Sequence, residues 1–189
     1  KRICKIFIKP NVKMKLVKTK IDGLVLLKPY IYNDERGCFL ETYNYNELTK
    51  FLGKIDFVQD NQSYSKRGVL RGLHFQSPPY SQSKLVSCVK GEILDIAVDL
   101  RKKSKTYMQY ESTPLSEKNK NMLFIPKGFA HGFVVISDSA IISYKVDNYY
   151  NSKAESGIIW NDPDLNINWG IKHESLIISE KDKKLPPFS

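Results

Sequence analysis

The chain has 189 residues, 41% apolar, 12% aromatic and 26% charged, which suits one globular domain and excludes a disordered chain or a small fold held by disulfides. Its formal charge is +10, but residues 1–20 hold eight cations and no acid, so the remainder carries only +2. A nucleic-acid-binding body would carry that excess on its folded surface, which argues against one, and apolar runs of four residues fall far short of the roughly 20 that span a membrane.

In chain order, residues 1–13 superficially resemble a leader, yet Lys5, Lys9 and Pro10 break the apolar stretch. Met14 opens a segment that reads as an ordinary start. We therefore set residues 1–13 apart as a basic extension outside the fold and treat 14–189 as one domain. The cysteines Cys4, Cys38 and Cys88 show no CxxC spacing, which points to a reducing compartment, the cytoplasm. Short β-type runs then alternate with turn signals. Strands are expected at Leu24–Lys28, Cys38–Tyr43, Phe57–Ser63, Val69–Phe75, Lys84–Lys90 and Glu92–Leu100, and further on at Tyr107–Thr113, Met122–Ile125, Gly132–Ser137 and Ala140–Tyr149. One helix start stands out: Asn44 can cap while Glu47 reaches back, and Leu48, Phe51 and Leu52 follow at helical spacing. Within Glu92–Leu100, Leu94, Ile96, Val98 and Leu100 form a wholly apolar face suited to a core. About ten short strands with one or two helices predict a mainly β jelly-roll sandwich or barrel.

Three stretches hold more reactive polar groups than a core strand normally does: Phe57–Ser63, Val69–Gln76 and Ile125–Phe133. Strict alternation in the second sends Arg71, Leu73 and Phe75 to one face and Leu70, Gly72, His74 and Gln76 to the other. The ordinary alternative makes His74 a hydrogen-bonded core histidine, Arg71 its surface neighbour, and His131 and His173 solvent-facing. A metal site of His74, His131 and a carboxylate stays open, although the three histidines form no HxH or HxxxH pair. There is no GxSxG elbow and no glycine-rich phosphate loop. What survives is an acid–base site of imidazole, tyrosine and anion-holding Arg or Lys.

The ordered series DERG (34–37), FVQDNQS (57–63), GVLRGLHFQ (68–76), KLV (84–86), GEILDIAVDLR (91–101), IPKGFAHGF (125–133), YK (144–145), WNDP (160–163) and SEKD (179–182) strongly resembles the dTDP-4-dehydrorhamnose 3,5-epimerases. The match runs from about Met14 to Asp182; any one motif is weak, and nine in order are specific. The resemblance implies a cupin-type jelly roll, usually a homodimer. It also implies a metal-free and cofactor-free epimerase of a nucleotide-diphosphate 4-keto-6-deoxyhexose. On the matched positions it makes His74 the base, Asp182 the acid paired with it, Tyr144 the proton donor on the opposite face, and Lys84 and His131 contacts near the keto oxygen. Arg36, Glu41, Gln59, Asp60, Asn61, Arg71, Glu155 and Lys181 match substrate contacts. Cys38 stands where the family pattern has an aromatic. The nucleotide, the sugar, the number of centres inverted and a non-catalytic binding role are left open by the sequence.

Overall fold

A computed structural model describes Met14–Phe188; the basic extension read at residues 1–13 lies outside the described residues. The strands are β1 (Lys15–Lys18), β2 (Val25–Lys28), β3 (Ile31–Asp34), β4 (Gly37–Leu40), β5 (Gln59–Lys66), β6 (Val69–Gln76) and β7 (Lys84–Lys90), continuing with β8 (Glu92–Asp99), β9 (Tyr110–Ser116), β10 (Met122–Ile125), β11 (Phe129–Val135), β12 (Ser139–Val146), β13 (Glu155–Gly157) and β14 (Ile177–Ile178). Helix α1 spans Tyr45–Leu52, and 3-10 turns lie at His173–Ser175 and Asp182–Lys184. One sheet has the order β1-β2-β10-β7-β12-β5; the facing sheet runs β13-β6-β11-β8-β9, with β14 added in parallel beside β6. Hairpin β3–β4 joins neither. This is the expected mainly β jelly roll, with β1, β3, β13 and β14 as strands the sequence pattern did not show.

Alternation along the strands divides the apolar side chains into three layers. Val86, Leu123 and Ile142 of the first sheet meet Ile93, Ala97, Leu115 and Phe133 of the second between the sheets. Leu27, Leu85, Met122 and Phe124 lie on the first sheet's outer face under Leu48 of α1. The second sheet's outer face is covered by the C-terminal segment through Ile158, Leu165, Ile167 and Trp169. Ile96 and Val98 belong to this outer layer, so the apolar face of β8 meets the C-terminal wrap and its Asp-bearing face looks inward. The WNDP turn fastens that wrap: Asp162 accepts from the amides of Asp164, Leu165 and Phe188, and Trp169 Nε1 donates to the Trp160 carbonyl.

Asn44 caps α1 as expected, its side chain accepting from the Glu47 amide at 3.1 Å. Glu47 turns outward to Lys50 rather than back to the cap, and Phe51 stays 61% exposed instead of joining Leu48 and Leu52 in the core.

Asp99, at the end of β8, is fully buried and takes Arg101 Nε at 2.8 Å, Ser104 Oγ at 2.6 Å and Thr106 Oγ1 at 2.7 Å. Burial opposes its charge, but these donors prevail and hold the carboxyl at about 2, below its ordinary 3.8. The folded state thus binds fewer protons there, and the stabilisation is complete above about pH 4 and lost as pH falls toward 2. A shift of this size corresponds to about 2 kcal/mol. Asp99→Asn is expected to lower the urea midpoint at pH 7, and the gap from the unaltered protein should narrow as unfolding is repeated toward pH 2. A gap independent of pH would refute this account.

Candidate active site

The site begins with an irregularity in β6. His74 lies opposite His131 and Arg71 opposite Phe133, so three steps along β6 match two along β11. The extra residue falls at Gly72, whose φ of +129° suits glycine and where a Cβ would stand 2.5 Å from the Gly132 Cα. Beyond it the alternation is reset. Leu70 and Leu73 both enter the outer core, and Arg71 and His74 both line one cleft, contrary to the strict alternation expected from sequence.

That cleft, about 530 Å³, opens between the sheets; a smaller lobe of about 160 Å³ adjoins it, and His74, Lys84 and Tyr144 line both. His74 comes from β6 of one sheet, and Lys84 and Tyr144 from β7 and β12 of the other. The larger lobe also takes Arg71, His131, Lys181 and Asp182, and the smaller takes Gln59, Asn61 and Glu155. Ten of the thirteen residues singled out by resemblance therefore meet at one place. The other three do not. Asp60 alternates with Gln59 and Asn61, lies on the opposite face of β5 and pairs with Lys145 at 2.8 Å. Arg36 sits on the β3–β4 hairpin beside Asp34, and Glu41 follows that hairpin; neither lines the cleft.

His74 Nε2 is 2.8 Å from Asp182 Oδ1, and Asp182 Oδ2 accepts from the Gly72 amide at 3.2 Å. Asp182 is buried, which disfavours its charge, yet His74 and the Gly72 amide outweigh that and hold the carboxyl below the usual carboxylate range. A neutral imidazole that donates Nε2–H to this carboxylate keeps its lone pair on Nδ1, the arrangement of a base oriented by an acid. Across the cleft, burial raises the Tyr144 phenol above its ordinary value, with Arg71 pulling the other way, so the phenol keeps its proton at neutral pH. Burial lowers the Lys84 ammonium to about 8, against the opposing pull of Asp95 and Glu155. At the rim, Glu155 Oε2 accepts from Lys181 Nζ at 2.6 Å and from the Tyr150 hydroxyl at 2.7 Å.

Two residues of the site were not singled out in the sequence. Asp95, buried behind the cleft, bonds His131 Nε2 at 2.9 Å; its signal was present as one of two acids on the Ile93–Asp99 face of β8. Tyr150, which lines the smaller lobe, lies in a tyrosine-rich run with nothing to distinguish it from packing. Among the described residues, no three His, Cys, Asp or Glu side chains converge as a metal site. No helix among them is long and apolar enough to cross a membrane.

A family model described as dTDP-4-dehydrorhamnose 3,5-epimerase matches residues 18–189. A dTDP-4-dehydrorhamnose 3,5-epimerase of Methanothermobacter thermautotrophicus is 47% identical over 175 residues, which cover 92% of this chain and 94% of that relative. The crystal structure of dTDP-4-dehydrorhamnose 3,5-epimerase from Elizabethkingia anophelis is similar with a TM-score of 0.90 at 47% identity, covering 93% of this chain and 96% of that one. A dTDP-6-deoxy-D-glucose-3,5-epimerase from Legionella pneumophila, solved in complex with dTDP-4-keto-L-rhamnose, has a TM-score of 0.88 at 42% identity and covers 94% of this chain and 100% of that one.

Proposed function

The chain belongs to the dTDP-4-dehydrorhamnose 3,5-epimerase family, and from that premise we propose that His74 and Tyr144 carry out its epimerisation from opposite walls of the cleft. The enzyme is an isomerase that inverts carbons 3 and 5 of dTDP-4-dehydro-6-deoxyglucose to give dTDP-4-dehydrorhamnose. A ketone at carbon 4 acidifies the hydrogens on both neighbouring carbons, because each carbanion delocalises onto the same oxygen. One site can therefore serve both centres if it takes a proton from one face and returns one to the other. His74, oriented by Asp182, removes the proton; Tyr144 supplies one from the opposite side. Lys84 lines the same cleft and is the cation suited to the oxygen where enolate charge collects, and Arg71 and Lys181 suit the diphosphate. The observation that carries this reading is the His74–Asp182 pair and the Tyr144 phenol lining one cleft from two facing sheets.

The experiment is NMR in deuterated water with a panel of 4-keto sugar nucleotides. Deuterium is expected at carbons 3 and 5 of the dTDP sugar, together with inversion at both. Absence of exchange from every member of the panel would sink the assignment. The rate should also have a basic limb. Lys84 stabilises the enolate only while protonated, so kcat/KM is expected to fall as pH rises through about 8. A rate still climbing at pH 10 would remove Lys84 from this role.

We further infer that residues 14–189 act as one domain in a cytoplasmic homodimer. Free Cys38 and Cys88 suit a reducing compartment. A second copy whose β3–β4 hairpin reached this cleft would bring Arg36 and Glu41 to the substrate, which the fold of one chain does not do.

A further inference from the structure

Asp95 has no part in the chemistry above, yet it is a fully enclosed acid bonded to His131, which lines the cleft. It is fully buried on the inward face of β8, beside Ile93 and Ala97. Oδ2 lies 2.9 Å from His131 Nε2, while Oδ1 has no hydrogen-bond partner among the described residues. A buried carboxylate stays ionised only against a counter-charge. Two groups can supply it: Lys84 from β7 and His131 from β11.

These two compete. Burial lowers both; Asp95 holds both up, and the Lys84 charge pushes His131 further down. The other titratable groups around them are His74 on β6, which also disfavours a charge on His131, Glu155 on β13, which supports Lys84, and Tyr144 on β12. With Lys84 settling at about 8 and His131 below its ordinary value, the cation of the group at neutral pH is Lys84 and the imidazole is uncharged. That imidazole donates Nε2–H to Asp95, so its Nδ1 can only accept a hydrogen bond.

We propose that Asp95 is a positioning residue: it fixes His131 in its Nε2–H tautomer and supplies the negative charge against which Lys84 remains the single cation at the keto oxygen. The proposal rests on the epimerase reading for the identity of that oxygen. The charge relation among Asp95, Lys84 and His131 is independent of it.

Asp95→Asn keeps the shape and an acceptor for His131 while removing the charge. With that support gone, the basic limb of kcat/KM is expected to move down by about one pH unit or more. The Lys84 side-chain carbon resonance, followed by NMR without substrate, should titrate lower by the same amount. A folded variant whose Lys84 titrates as before would overturn the proposal. A wild-type protein inert toward every keto sugar would defeat the epimerase reading and leave this titration still decisive. Should Asp95→Asn fail to fold, Lys84→Met gives the reciprocal reading: relieved of its rival, His131 should titrate higher, and an unmoved His131 resonance would equally overturn the proposal.

Discussion

Replacing His74 with alanine is expected to abolish deuterium entry at carbon 3 and at carbon 5 together. Removal of a positioned general base typically costs about 10²–10⁴ in rate. Lys84 is held as a cation by Asp95 and Glu155, and burial lowers the basicity of His131, the other imidazole that lines the cleft. Tyr144 keeps its proton at neutral pH because burial raises it. The test compares exchange at each carbon by NMR, with a thermal melt to confirm that the variant folds. His74 lines the cleft outside the three apolar layers, but its loss leaves the buried Asp182 without its ring partner, so the melt is expected to show some loss of stability in a variant that still folds. Exchange that survives at one carbon would mean that two bases divide the work, and the single-imidazole mechanism would fall.

The sequence revealed the site more completely than it revealed the strands. Short β-type runs between turn signals located β7, β8 and β10 to within a residue or two, with period two read in β8, because these strands are central and bury most of their side chains against packed layers. It missed β1 and β3, four-residue strands with few buried side chains, and β13 and β14, which are held by backbone pairing to β6 rather than by apolar pattern. It also shifted the strand read at Tyr107–Thr113 to the wrong start. There the Met108 amide donates to Asp99 and its φ is +64°, so Tyr107 and Met108 form a turn and β9 begins at Tyr110.

The residues that meet in the cleft from distant parts of the chain were legible only through the ordered motifs. His74 and Asp182 are 108 positions apart, and nothing local marks an acid in a lysine-rich tail as the partner of a strand histidine. Arg71 shows the limit of periodicity at its clearest. Alternation put it opposite His74; one glycine bearing a positive φ, close against Gly132, turns it back to the same cleft. Asp60 shows the converse. The same alternation, undisturbed on β5, sends it away from Gln59 and Asn61 and into a pair with Lys145, although it sits within the motif that supplies both neighbours.

Tyr144→Phe should separate proton removal from inversion. The ring packs against the inter-sheet core, and phenylalanine preserves that contact, so only the hydroxyl is lost. His74 lies on the facing sheet, with Asp182 bonded to it from the C-terminal 3-10 turn, and both are untouched, so the substrate proton still leaves and Lys84 still balances the enolate. The proton that His74 holds then returns to the face it left, carrying deuterium once the imidazole has equilibrated with solvent. Exchange is therefore expected to stay within about tenfold of wild type while inversion drops by about 10²–10⁴, the usual cost of losing a positioned proton donor. One NMR time course reads both quantities, since incorporation and the appearance of the epimer are resolved at each carbon. If exchange and inversion fall together in the folded variant, the phenol acts before the proton is removed, by binding or orienting the sugar, and the donor on that face must be another group.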